Sequence, residues 1–192
     1  GLYTAPTDDA LKYDIEMSKK YGFNFDRKHV KVEPDRWYYW CDKLGLLVWQ
    51  DMPSSTGDCG EDPPRITDAQ AIEFEKELKA MIDGRRNHPS VVIWILFNER
   101  WGQYDTRRLT EWMRKEDPSR LIDSASGWMD LGCGDINDHH QYPGPVAPKP
   151  DGVRASVIGE CGGISGDKKA EQYADLMKQV WPLIDSQGLC AV

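Results

Sequence analysis

The stretch from Asn87 to Arg100, NHPSVVIWILFNER, decides the fold class of this 192-residue chain. Its apolar run from Val91 to Phe97 has the length of one strand, is too short to span a membrane, and begins just after Pro89. Continuous apolar runs of this kind are typical of parallel strands that are buried on both faces. Asn98 and Glu99 end the run, and polar residues at the carboxyl ends of such strands carry the chemistry of α/β-barrel enzymes.

A second stretch, ASVIGE from Ala155 to Glu160, has the same pattern. If both stretches are parallel strands, Glu99 and Glu160 come to one rim of the sheet, because the carboxyl ends of parallel strands lie together. Two carboxyl groups at one rim predict acid–base or nucleophilic chemistry. The alternative is that both glutamates are solvated surface residues that follow strands.

Helical and strand-like segments alternate along the rest of the chain. Helices are expected after Thr7, Pro34 and Thr67, around Arg107 to Lys115, and from about Lys168 to Ser186. Further strands are expected at Phe23–Phe25, Leu46–Gln50, Leu121–Asp123, Ile136–His140 and Leu189–Val192. Regular alternation predicts an α/β fold with a parallel sheet and right-handed crossovers, the pattern of a TIM-type (β/α)8 barrel.

The length and composition restrict the possible classes of protein. A complete barrel of eight strands takes roughly 250 residues, so we expect residues 1–192 to form one domain that is an incomplete barrel. The formal net charge of -8 argues against nucleic acid and anionic membranes as partners. Eight Trp and eight Tyr residues favour stacking surfaces for a ligand such as a sugar. The cellular compartment and the oligomeric state stay open.

The five cysteines of the chain are scattered and lack the spacing of metal ligands. We therefore expect no structural zinc site. No metal ion and no cofactor are assigned to the chain. A metal-dependent hydrolase built from His29, Asp51, His139 and His140 is kept as a minor alternative.

Three phrases in a fixed order now give a resemblance: RKH at 27–29, NHPSVVIWILFNE at 87–99 and IGECGG at 158–163. Together they are similar to the catalytic barrel of family 2 glycoside hydrolases, the group of β-galactosidases, β-glucuronidases and β-mannosidases. The flanking segments 35–54, DRWYYWCDKLGLLVWQDMPS, and 135–144, DINDHHQYPG, extend the resemblance over nearly the whole chain. The resemblance implies a barrel without its first strand and with its last strand cut short. For the parent protein it makes a secreted or periplasmic location plausible.

The resemblance implies a retaining β-glycosidase that hydrolyses terminal β-linked sugars, with β-galactosides favoured. Glu160 corresponds to the nucleophile and Glu99 to the acid/base. Retaining glycosidases hold two such carboxyl groups about 5–5.5 Å apart, one ionised and one protonated at rest. The resemblance further implies that Asn98 binds the sugar 2-hydroxyl and that Arg27 keeps the Glu160 carboxylate ionised, since a neighbouring cation favours the charged form.

Further substrate-binding residues are suggested by strand ends and by the family pattern: His29, Asp51, His139, Tyr142, Trp101 and Trp128. By resemblance, Tyr142 donates a hydrogen bond to the nucleophile, with an ordinary loop tyrosine as the alternative. From their positions, Trp101 close after Glu99 is expected to line the leaving-group side, and Trp128 is expected to stack on a sugar ring. A structural hydrogen-bonding role is an equal alternative for each histidine. Because side chains alternate along a strand, only one of His139 and His140 is expected to face the barrel axis.

Two other classes of function remain open from the sequence. The first is a catalytically inactive barrel fragment or carbohydrate-binding remnant, which would keep aromatic surfaces without productive carboxyl geometry. The second is an assembly fragment whose missing strand is supplied by another chain. In the favoured interpretation the partner is a carbohydrate substrate.

Overall fold

A computed structural model describes residues 6–54, 66–144, 146–147, 149–162 and 170–192. The helices are α1 (Asp8–Lys20), α2 (Asp35–Leu44), α3 (Asp68–Arg85), α4 (Thr106–Glu116) and α5 (Ala170–Gln187). The strands are β1 (Phe25–Lys28), β2 (Leu47–Asp51), β3 (Val91–Ile95), β4 (Leu121–Asp123), β5 (Ile136–Gln141) and β6 (Ala155–Cys161). Over these residues, helices and strands alternate from α1 to β4, and β4, β5 and β6 then follow one another without a described helix between them.

The strands follow one another in chain order. Strands β1 to β4 form one parallel sheet, and β5 pairs in parallel with β6. A bridge between Asp123 and Gly134 joins β4 to the segment that leads into β5, and Ala191 pairs in parallel with Val157 of β6. This order and the intervening helices confirm the predicted α/β barrel class.

The helix ends follow the signals in the sequence. Thr67 and Gln70 form a capping box at the start of α3, and Thr7 caps α1 by accepting a hydrogen bond from the Ala10 amide. Helix α2 ends at Gly45, whose φ of 73° lies in the left-handed region that glycine adopts without strain. In the described ranges, we find no helix that combines the length and apolarity of a membrane span.

Strand β3 is buried on both faces, as its continuous apolar run predicted. Trp94 packs in the cluster between the sheet and the helices, and its indole donates a 3.0 Å hydrogen bond to Asp117. Ile93 and Ile95 instead join an inner cluster with Trp49 and other residues of the barrel interior. The strand that leads to Glu99 is therefore fixed by packing from both sides.

The first strand begins later than the sequence suggested. Phe23 was predicted to start it, but its amide instead bonds to the Ser18 carbonyl and closes α1, with Gly22 at φ 93°. The strand starts at Phe25. The predicted helix start at Lys168 lies outside the described residues.

The predicted strand at Leu189–Val192 is reduced in the structure to a single bridge at Ala191. Two backbone hydrogen bonds accompany this bridge, from Ile158 to the Ala191 carbonyl and from Cys190 to the Ser156 carbonyl.

Leu96 follows β3 and is 0% exposed, so replacing it tests the packing under the predicted site. We expect Leu96→Ala to lower the free energy of unfolding by about 2–5 kcal/mol, because the cavity removes contacts on every side. Leu121→Ala is the matched control; Leu121 is 47% exposed, and we expect a cost of about 0.5 kcal/mol. Denaturant titrations measure both, and equal losses would contradict this packing.

Candidate active site

The barrel class places the carboxyl ends of the strands at one rim, and polar residues from five strands meet there. The contributors are Arg27 from β1, Asp51 from β2, Asn98 and Glu99 after β3, His140 from β5 and Glu160 from β6. The structure thus brings together residues that are up to 133 positions apart in the chain.

Arg27 is at the centre of this group. Its Nε and Nη2 donate 3.0 Å hydrogen bonds to the two carboxylate oxygens of Asp51. Its Nη2 also donates to Asn98 Oδ1 at 2.7 Å, and its Nη1 donates to Glu160 Oε1 at 2.9 Å. Burial alone would lower the pKa of Arg27, but Asp51 and Glu160 outweigh it and raise the pKa, so the group is a permanent cation.

The two glutamates singled out from the sequence lie close together. A carboxylate oxygen of Glu99 and one of Glu160 lie within 4.8 Å of each other and of a ring nitrogen of His140. A register shift in the β5–β6 ladder pairs His140 with Glu160. Glu99 adopts a φ of 47°, which L side chains rarely adopt and which is found most often at functional sites.

His140 connects this pair to the barrel interior. Its Nδ1 is 2.9 Å from Glu99 Oε1, and its Nε2 is 2.8 Å from Ser126 Oγ. Burial alone would lower the pKa of His140, but hydrogen bonding and charge from Asp138, together with Glu99 and Glu160, raise it. The imidazolium form is therefore favoured beside the two glutamates.

The structure corrects one assignment made from the sequence. His139 was predicted to bind substrate, but His140 is the histidine that faces the glutamates. Burial alternates along β5, and His139 is a half-buried residue between the buried Asp138 and His140. The period of two along the strand therefore turns His139 to the other face.

Two residues of the site carried no signal in the sequence. Ser126, which follows β4, has its hydroxyl 2.6 Å from Asp138 Oδ2 as well as near His140. Asp138 also accepts a 2.6 Å hydrogen bond from the Gly159 amide. Ser126 lies outside the segments that carry the family resemblance. Asp138 lies within segment 135–144 but was given no role, although the alternation that selects His140 places it on the same face.

The remaining predicted residues differ in what they contact, and Tyr142 and His29 approach Glu160 directly. The Tyr142 hydroxyl donates to Glu160 Oε2, and burial followed by this contact raises the pKa of Tyr142. His29 Nδ1 is 3.6 Å from Glu160 Oε1, and its ring lies 5.8 Å from that of Trp101. Trp128 is 49% exposed on the loop after β4, accessible to a ligand.

Asn98 has one amide atom without a partner. Its oxygen accepts from Arg27, while its buried Nδ2 has no hydrogen-bond partner among the described residues. A buried donor without a partner costs about 1–3 kcal/mol. A ligand oxygen that accepted a hydrogen bond from Nδ2 would remove this cost.

Metal binding was a minor alternative from the sequence. Glu99, His140 and Glu160 each offer one ligand atom at suitable separations. However, Arg27 already donates to Glu160, and its positive charge repels a second cation. The set predicted for that alternative is also split, because His139 lies on the opposite face of β5. We therefore carry no metal ion into the proposed function.

The raised pKa of His140 predicts a pH dependence of stability. A raised pKa in the folded state stabilises the protein fully below the unfolded value of about 6.5, and this contribution disappears as the pH rises through the folded value. We expect the difference in unfolding free energy between the wild type and His140→Gln to be larger at about pH 6 than at about pH 9.

Trp94→Phe is the control for this measurement, because it removes a buried hydrogen bond to Asp117, whose pKa is lowered. Its deficit should be the same at both pH values, as judged by urea titrations. A His140→Gln deficit that grows with pH would contradict the prediction.

Comparison with solved structures supports the fold independently. A β-glucuronidase of Bacteroides uniformis superimposes with a TM-score of 0.74 at 18% identity, covering 97% of this chain and 28% of that chain. A β-D-mannosidase from Dictyoglomus thermophilum gives a TM-score of 0.57 at 23% identity, over 72% of this chain and 19% of that chain. At such identities the likeness shows the fold alone.

Sequence comparison shows the family. A β-galactosidase of Vibrio cholerae is 31% identical over 150 residues, which are 73% of this chain and 14% of that relative. The chain thus spans only a small part of the length of the curated relatives that it matches. The model for the TIM barrel domain of glycosyl hydrolases family 2 matches residues 5–141. This chain therefore belongs to glycosyl hydrolase family 2, through the TIM barrel domain of that family.

Proposed function

We propose that this chain is the catalytic part of a retaining β-glycosidase that hydrolyses terminal β-linked sugars by double displacement. The observation that carries the proposal is the approach of Glu99 and Glu160, with carboxylate oxygens within 4.8 Å at the rim. Retaining enzymes hold their carboxyl groups about 5–5.5 Å apart, whereas inverting enzymes leave about 6.5–9.5 Å for a water molecule. That residues 1–192 form a single catalytic domain stays a prediction.

Glu160 is the proposed nucleophile, which attacks the anomeric carbon. Arg27 donates to its Oε1 and Tyr142 to its Oε2, so both oxygens are oriented and the negative charge is stabilised before attack. Glu160 lies beyond the residues matched by the family model, so its role rests on the resemblance around residue 160 and on these contacts.

Glu99 is the proposed acid/base. It protonates the leaving oxygen as the glycosyl bond to Glu160 forms, and it then removes a proton from the water that releases the sugar. Its hydrogen bond with His140 fixes one carboxylate oxygen and leaves the other for the leaving group.

Substrate binding is proposed for the surrounding polar and aromatic residues. The unpartnered Nδ2 of Asn98 is a donor for the sugar 2-hydroxyl. His29 and Trp101 lie together on the exposed side of the rim and are candidates for contacts on the leaving-group side, while Trp128 offers a stacking surface. Asp51 is bound to Arg27 through both oxygens, so its main proposed role is to hold that cation.

The favoured substrate is a β-galactoside. This choice rests on the names of the curated relatives, which are β-galactosidases at 31% and 30% identity. Solved structures with the same fold carry the names β-glucuronidase and β-mannosidase, so the substrate test must include these sugars. The alternative is a carbohydrate-binding barrel without turnover, which the exposed Trp128 would suit.

Chromogenic β-galactosides, β-glucuronides and β-mannosides test the proposal directly. We expect the wild type to hydrolyse one of them, with β-galactoside preferred, and Glu160→Gln to abolish hydrolysis because the amide cannot form the glycosyl ester. Glu116→Gln on α4 is the matched control and should retain full activity, since its carboxylate contacts only the exposed Lys79 among the described residues.

An activated fluorosugar should also label Glu160 covalently, and peptide mass spectrometry identifies the site. Hydrolysis that survives Glu160→Gln would remove this residue from the mechanism. Sugar binding without turnover by the wild type would favour the carbohydrate-binding alternative.

Glu99→Gln separates acid catalysis from nucleophilic attack. We expect a loss of about 10²–10⁴-fold in kcat/KM on glycosides with poor leaving groups, because their oxygen needs a proton. Dinitrophenyl glycosides need no protonation and should retain their kcat/KM, with azide accelerating the slow second step. Equal losses on both substrate classes would contradict the acid/base role.

A further inference from the structure

Asp138 lies beneath both proposed catalytic glutamates and has no role in the mechanism above. Its side chain is fully buried. Its Oδ1 accepts a 2.6 Å hydrogen bond from the Gly159 amide, and its Oδ2 accepts one of 2.6 Å from the Ser126 hydroxyl. The two oxygens therefore bind two different segments of the rim.

The first segment leads to Glu160. In the β5–β6 ladder His139 pairs with Ile158 and His140 pairs with Glu160, so Gly159 is one extra residue in β6. The extra residue of a bulge is left without a ladder partner, and here Asp138 accepts its amide instead.

The contact at the bulge is direct. A Cβ atom on Gly159 would lie 2.3 Å from Asp138 Oδ2, which only glycine avoids at this position. Asp138 thus holds the peptide from which Glu160 projects.

The second segment leads to Glu99. An ionised Asp138 only accepts hydrogen bonds, so the Ser126 hydroxyl donates its one hydrogen bond to Asp138. Ser126 Oγ must then accept from His140 Nε2, and His140 Nδ1 donates to Glu99. The direction of every hydrogen bond in this chain follows from the charge on Asp138.

The charge state of Asp138 is supported by a second buried carboxyl group. Burial, followed by the neighbouring Asp138, raises the pKa of Asp123 well above its usual range, which favours its neutral form. Burial alone would raise the pKa of Asp138, but His140 and Ser126 outweigh it and lower the pKa.

The groups that face His140 come from several strands. They are Arg27 from β1, Glu99 after β3, Ser126 after β4, Asp138 from β5 and Glu160 from β6, with Asp123 of β4 behind Asp138. Arg27 Nη1 lies 3.4 Å from His140 Nε2 but donates to Glu160 at 2.9 Å. In the imidazolium form Nε2 carries a proton and cannot accept from Arg27, so Ser126 Oγ at 2.8 Å is its acceptor.

We propose that Asp138 is a positioning residue for both catalytic carboxylates. It holds Glu160 through the Gly159 peptide, and it holds Glu99 through Ser126 and His140. The inference rests on the proposed function, because it assigns the residue that sets the separation between the two carboxyl groups of that function.

Two variants separate the two branches of contacts from Asp138. One branch reaches Glu160 through Gly159, and the other reaches Glu99 through Ser126 and His140. Ser126→Ala cuts only the branch to Glu99, so we expect about 10²-fold lower kcat/KM on poor leaving groups and little change on dinitrophenyl glycosides. Asp138→Ala cuts both branches and should lower kcat/KM on both substrates.

Asp138→Asn keeps an acceptor for the Gly159 amide but presents a donor to Ser126. It should therefore resemble Ser126→Ala, which a general loss of stability would not produce.

Asp117→Asn is the matched control. Asp117 is also a buried aspartate, which accepts from Trp94 and Ser119, so its loss should lower the melting temperature without changing the leaving-group dependence. If Ser126→Ala and Asp138→Asn lose equally on both substrates, or lose no more than Asp117→Asn, the inference is overturned.

A spectroscopic measurement tests the hydrogen-bond direction without turnover. The chain has four histidines, so ¹⁵N-histidine spectra resolve His140 by comparison with His140→Gln. We expect both ring nitrogens of His140 to be protonated at neutral pH in the wild type and Nε2 to be unprotonated in Asp138→Asn.

An unchanged His140 signal in Asp138→Asn would overturn the inference even if this variant lost activity. Absence of hydrolysis by the wild type would instead overturn the proposed function, and with it any catalytic role for Asp138. An active wild type with unaffected Asp138 and Ser126 variants would overturn the inference alone.

Discussion

The site depends on one buried cation. Arg27 binds Asp51 through two nitrogens and reaches Asn98 and Glu160 with its remaining hydrogen bonds, so β1, β2, the end of β3 and β6 are tied together at one point. A buried charge is tolerated only when it is paired and hydrogen-bonded, and Arg27 meets both conditions. The guanidinium fork fixes directions as well as distances, so it orients the proposed nucleophile in the resting protein.

Several carboxyl groups lie close together at this rim, so their negative charges must be balanced by nearby positive charges. Arg27 balances Asp51 and Glu160, while the raised pKa of His140 places a second positive charge between Glu99 and Asp138. The raised pKa of the deeper Asp123 favours its neutral form, which lowers the negative charge beside Asp138. These contacts hold the carboxyl groups of Glu99 and Glu160 close together, which is the spacing that the proposed double displacement uses.

The sequence predicted the parts of this structure that depend on local periodicity. The apolar run before Asn98 identified β3, and the order of segments identified the barrel class. Alternation showed that one of His139 and His140 faces inward but not which, because the choice depends on the register of β5 against β6. Ser126 and Asp138 were missed because their importance comes from contacts with distant strands, and such contacts leave no spacing in the chain.

The extra residue in β6 also sets the direction of the glutamate that follows it. A strand shows its side chains to opposite sides in turn, so the orientation of Glu160 is encoded by the count of residues before it as much as by its identity. If Gly159 instead took the ladder position opposite His140, Glu160 would come opposite Gln141 and would be aimed at the helices. The bulge therefore turns toward the rim a carboxyl group that strict alternation along β6 would turn away from it.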